Sequence, residues 1–92
     1  DFFFFLSRKA ARHMEPFLID LKPSADGEKV SSSHEGEEFL YVLSGTVLVQ
    51  YGREQYILEQ GDSIYYDSIV DHLVTTANDQ PAQILGIVYS PF

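Results

Sequence analysis

An all-β sandwich or barrel is the fold class this sequence predicts. β-Branched and aromatic residues gather in short runs, Gly, Asp, Asn and Pro cut those runs at regular intervals, and helical periodicity is nearly absent. With 92 residues, 45% of them hydrophobic and 14% aromatic, the chain is expected to form one small domain over residues 1–92, with a packed core.

The elements follow in order. "DFFFFL" predicts a first strand near 2–6. It is far too short to span a bilayer and lacks the basic leader of a signal peptide, so no membrane partner is expected. It is also too apolar to stand exposed, and an edge strand of this kind invites pairing with a second copy; a homodimer is expected. The chain opens on Asp1 and not on methionine, as expected of a piece of something longer or of a chain whose first residues were removed. "SRKAARH", residues 7–13, is compatible with one short helical turn and otherwise reads as a solvated basic loop. Further strands are expected near 15–21, 38–43, 46–51, 55–59, 63–67, 72–77 and 83–89. Ser44-Gly45 and Gly52-Arg53 read as hairpin connections, and Gln60-Gly61-Asp62 as another turn.

Charge narrows the function. The net charge is −8, and residues 28–92 hold only Lys29 and Arg53 against ten acids. Such a surface repels phosphates, so this chain by itself is expected to bind no nucleic acid. The absence of cysteine excludes disulfides, thiolate metal sites and cysteine nucleophiles, and leaves the cytoplasm as the default compartment. No Ser-His-Asp arrangement, phosphate loop or nucleotide fingerprint appears, and no catalytic residue is assigned.

"SHEGEEFLYVLSG", residues 33–45, crowds one histidine and three glutamates ahead of an apolar strand. Side chains two apart share a strand face, so Glu38, Leu40 and Val42 point one way and Phe39, Tyr41 and Leu43 the other. Both faces are apolar, which predicts a strand covered on both sides. Glu38 is then the glutamate drawn inward, where a carboxylate must protonate, find a hydrogen-bonding partner or coordinate a cation. Glu35 and Glu37 stay in water. His34 lies four residues before Glu38 across Gly36, which lets the loop curl, and His72 is the candidate third ligand. Two imidazoles and one carboxylate suit Fe(II) and leave open positions for small ligands; Zn, Mn and Ni are also acceptable.

The spacing His34, three residues, Glu38, six residues, Gly45 resembles the first motif of the cupin superfamily, H-x-H-x(3,4)-E-x(6)-G. Gly61-Asp62, followed by Asp67, Ser68 and His72, resembles the second, G-x(5)-P-x-G-x(2)-H-x(3)-N. Ser32 stands where the first motif has its first histidine, Asp67-Ser68-Ile69 replaces the Pro-x-Gly turn, and Thr76 occupies the place of the terminal Asn. The resemblance implies a cupin-type jelly-roll barrel of two antiparallel sheets. It also implies a three-ligand site, His34, Glu38 and His72, similar to that of cupins accompanying a helix-turn-helix domain, fosfomycin-forming epoxidases among them.

"HEGEEFLYVLSG" and "GDSIYYDS" look still more like the C-terminal sensory cupin of bacterial helix-turn-helix regulators. A domain binding a small-molecule effector, and passing its occupancy to an attached DNA-binding domain, is therefore the first expectation. The alternative is a mononuclear metal-dependent enzyme of oxygenase, epoxidase or isomerase type. Ser32 and Tyr65 are the candidate ligand-contacting residues, against the plainer readings of a small replacement and of strand packing. His13 reads as a surface residue.

Overall fold

A computed structural model describes residues 2–5, 13–23 and 33–90; the expected helical turn at 7–13 lies, except for His13, outside the described residues. Among the described residues eight strands run in chain order: β1 (Phe2–Phe5), β2 (Met14–Leu21), β3 (Glu37–Ser44), β4 (Val47–Tyr51), β5 (Glu54–Leu58), β6 (Ser63–Asp67), β7 (His72–Thr76) and β8 (Ala82–Tyr89). All eight fall within two residues of the strands the sequence predicts. They form two antiparallel sheets, ordered β1-β2-β8-β3-β6 and β5-β4-β7. This is the jelly-roll arrangement of a cupin-type barrel. Among the described residues no helix is long and apolar enough to cross a membrane.

The core lies between the sheets and is filled by alternate residues. Leu40 and Val42 of β3, Val47 and Val49 of β4, and Ile84 of β8 are almost wholly removed from water. Within the large sheet the register sets these side chains beside one another: Val42 pairs with Ile84 across β3–β8, and Leu40 with Gly86.

β3 departs from expectation on its other side. Phe39 and Leu43 are half-buried and Tyr41 is 37% exposed, so only the face carrying Glu38, Leu40 and Val42 is fully covered. The five-stranded sheet packs its inner face on the small sheet, and no described element roofs its outer face, which also carries Tyr65 and Tyr89. An apolar strand sequence thus marks a wide sheet and not burial on two sides.

Ser44-Gly45 is not a hairpin. β3 and β4 belong to different sheets, and the chain turns a corner between them, helped by a bulge between Val42 and Ser44. Gly45 sits at φ 82°, and a Cβ there would come within 2.7 Å of the Pro81 carbonyl oxygen, so the corner requires glycine. The turn at Gln60-Gly61-Asp62 is likewise a crossing, tied to β3 by Gly61 N–H donating to Val42 O and Val42 N–H donating to Asp62 O, both at 2.9 Å. Gly52-Arg53 is the expected two-residue hairpin, with Tyr51 paired to Glu54. β1 pairs with β2 of its own chain, Phe2 opposite Asp20 through Phe5 opposite Phe17, and forms one edge of the large sheet.

Candidate metal centre

Two loops and two cross-strand pairs build the site. The loop before β3 is stitched to the turn between β6 and β7 by a reciprocal pair of bonds, His34 N–H donating to Ser68 O and Ser68 N–H donating to Gly36 O, each at 2.9 Å. This brings the two histidine-bearing segments together. Gly36 permits the curl: its φ is 117°, and a Cβ would lie 2.1 Å from the backbone oxygen of Tyr89. Register supplies the rest, because Glu38 stands opposite Tyr66 across β3–β6 and Tyr51 opposite His72 across β4–β7.

The three side chains converge on one point. His34 Nε2 lies 2.6 Å and His72 Nε2 3.1 Å from Glu38 Oε1. One ligand atom from each residue lies within 4.8 Å of the other two, and the two imidazole rings meet edge-on at 5.4 Å. Glu38 and His72 are buried, while the His34 side chain is 39% exposed and marks the open side.

Backbone carbonyls fix the imidazoles. His72 Nδ1 lies 2.8 Å from Val70 O and His34 Nδ1 3.3 Å from Glu35 O. A carbonyl only accepts, so each Nδ1 carries the donated proton, and in a neutral ring the lone pair is left on Nε2, aimed at the carboxylate. Two nitrogen lone pairs then face a carboxylate oxygen, an arrangement that a cation or a shared proton must hold together. The spacing suits an ion, since neighbouring ligands about 2.1 Å from a metal stand about 3 Å apart in octahedral geometry. Nitrogen and oxygen donors without sulfur accept Fe(II), Zn, Mn or Ni. The residues present therefore fit a divalent metal.

Glu38 receives two further hydrogen bonds. Tyr66 OH donates to Oε2 at 2.8 Å, and the fully buried Ser68 Oγ makes a long donation to Oε1 at 3.4 Å. Burial, then the charge of Glu38, then the hydrogen bond push the Tyr66 phenol far above its ordinary range, so it remains a donor. Its ring lies between Tyr51, at 5.1 Å, and His72, at 5.0 Å.

Of the other residues singled out from sequence, Ser32 lies outside the described residues. Tyr65 occupies the opposite face of β6 from Tyr66 and is 66% exposed; it lines an open groove of about 420 Å³ with Glu37, Tyr51, Tyr66 and Asp67. Glu35 is exposed and Glu37 half-exposed. Tyr66, not Tyr65, touches the triad, and the sequence carried a signal for it. In "SIYYD" the polar Ser63 and Asp67 share a face with Tyr65, which leaves Ile64 and Tyr66 for the interior.

Comparison with known proteins decides the family, since the model of the cupin domain matches residues 17–88. The chain belongs to the cupin family. This cupin is 32% identical over 74 residues to (S)-2-hydroxypropylphosphonic acid epoxidase of Streptomyces wedmorensis, an overlap covering 75% of the chain and 37% of the epoxidase. Among solved structures it is similar to Fe(II) HppE in complex with substrate, with a TM-score of 0.82 and 26% identity over 95% of this chain and 52% of that one. Co(II) HppE in complex with Tris buffer is equally similar, with a TM-score of 0.82 and 27% identity over 96% and 52% of the two chains. The cupin thus spans about a third to a half of the length of these relatives.

Proposed function

We propose that this chain is the metal-binding cupin domain of a mononuclear divalent-metal enzyme of the oxygenase or epoxidase type, with His34, Glu38 and His72 as the protein ligands. The observation that carries the reading is the aim of the donors: both Nδ1 atoms are committed to carbonyls, and both Nε2 atoms face Glu38 Oε1. The likeness to an Fe(II)- and Co(II)-binding epoxidase supports it. The sensory role suggested by the regulator resemblance has no such support, and the enzymatic alternative takes its place.

A divalent ion bound there supplies a Lewis acid with open positions for small ligands. The chain's own residues hold and shield that centre. Glu38 supplies the negative charge, Ser68 and Tyr66 hold its two oxygens, and Glu38, Tyr66, Ser68 and His72 are buried, so a small-molecule ligand approaches past the exposed edge of His34. The relative's name gives that protein a phosphonic acid as substrate. The acidic balance of residues 28–92 gives this domain few cations of its own to hold one.

Metal content and calorimetric titration with Fe(II) or Co(II) test the proposal. His34→Ala, Glu38→Gln and His72→Ala should each lower affinity by more than about tenfold, because first ligands matter at least as much as the groups that orient them. Glu35→Gln should leave it unchanged. Equal behaviour of Glu35→Gln and Glu38→Gln would remove the inward carboxylate from the site, and a wild type that takes up no ion would remove the metal centre.

A further inference from the structure

We propose that Tyr66 is a positioning residue that makes Glu38 a one-oxygen ligand: its hydroxyl holds Oε2, so that only Oε1 faces the ion. The inference rests on the metal-centre reading and extends it to how many coordination positions the protein leaves free.

The division of the carboxylate is the observation. His34 Nε2, His72 Nε2 and Ser68 Oγ all face Oε1, at 2.6, 3.1 and 3.4 Å, whereas Tyr66 OH alone among these partners meets Oε2, at 2.8 Å. A carboxylate free to rotate can offer both oxygens to one ion, and one oxygen held by a buried donor cannot follow. Tyr66 is well placed to impose this. It is 7% exposed and stands opposite Glu38 in the β3–β6 register, so the phenol reaches the carboxylate without a loop between them.

The phenol is itself held. Tyr51 packs on it at 5.1 Å, and the Tyr51 hydroxyl donates to the Asp67 carbonyl at 3.1 Å, the residue after Tyr66. On the other side the His72 ring lies at 5.0 Å, in register with Tyr51 on the small sheet. Each sheet therefore contributes one cross-strand pair, Glu38 with Tyr66 and Tyr51 with His72, and the two pairs lock against each other beside the ligand atoms. With one carboxylate oxygen and two imidazoles bound, three positions of an octahedral ion stay open; a two-oxygen Glu38 would leave two.

Co(II) bound to the whole chain supplies the readout, because its visible bands report coordination number and geometry without any turnover. Tyr66→Phe keeps the ring and removes the hydroxyl. The expected result is a shifted Co(II) spectrum and a weaker azide affinity at the Co(II) centre, as one of the three open positions is lost to Oε2. Tyr65→Phe, on the outer face, should change neither. Fluorotyrosine at position 66 retains the hydrogen bond and should keep the wild-type band pattern even if Tyr66→Phe folds poorly. An unchanged spectrum and azide affinity in Tyr66→Phe, or a variant that is only less heat-stable with the same spectrum, overturns the inference while the metal centre stands. A wild type that binds no Co(II) overturns the metal-centre reading and the inference with it.

Discussion

At the scale of single residues, the buried carboxylate sets the terms. An unpaired charge at the position of Glu38 would cost several kcal/mol; a phenol and a serine hydroxyl donate to it, and the two imidazole Nε2 atoms facing Oε1 call for a cation or a shared proton to complete the offset. The same contacts act back on Tyr66. Burial first, then the Glu38 charge and the hydrogen bond, raise its phenol above the ordinary value of about 10, so the folded chain holds this proton more tightly than the unfolded chain does. The contribution to stability is fully present below the unfolded value and is lost as pH rises through and above it, since there the unfolded chain binds fewer protons. In the metal-free chain, an alkaline titration of phenolate absorbance should show Tyr66 as the last of the six tyrosines to ionise, together with loss of the β-sheet circular dichroism. Ionisation of all six tyrosines with the fold intact would contradict the raised value.

At the scale of elements, β3 shows what the sequence discloses and what it withholds. Period-two alternation separates Glu38, Leu40 and Val42 from Phe39, Tyr41 and Leu43, and the structure keeps that separation. Alternation does not say how much covers each side. Leu40 is 2% exposed against Gly86, while Tyr41 is 37% exposed on the outer face. Leu40→Ala should therefore cost about 2–5 kcal/mol and lower the melting temperature by at least about 10 °C. Tyr41→Ala should cost much less, and thermal denaturation of the two variants compares them. Similar losses would mean that the outer face is covered too. The corner at Ser44-Gly45 was hidden for a related reason: a glycine marks a sharp turn, but only long-range pairing decides whether the next strand stays in the same sheet. The convergence of His34, Glu38 and His72 was legible through motif spacing. Tyr66 was harder to see, because adjacent tyrosines on a short strand can be ordered only by the polarity of Ser63 and Asp67.

At the scale of the whole molecule, charge and apolar surface pull in opposite directions. The outer face of the large sheet exposes Met14 at 57%, Tyr65 at 66% and Tyr89 at 38%, and β1 lies at the edge of that sheet. Apolar surface and an edge strand both favour association, which is the ground on which the sequence leads one to expect a homodimer. Two copies that meet each bring a net charge of −8, and this repulsion opposes contact. The two effects respond differently to salt. Repulsion between exposed charges is screened within about 10 Å at moderate ionic strength and within about 3 Å near molar salt, whereas apolar burial is not weakened by it. Association should consequently strengthen from low to high salt, the reverse of what oppositely charged surfaces would give. Sedimentation equilibrium at high micromolar concentration across that range measures it. Tyr65→Glu adds a charge to the exposed face without touching the triad, and should shift the equilibrium toward monomer. A chain that remains monomeric at both salt extremes would show that the apolar face does not serve self-association.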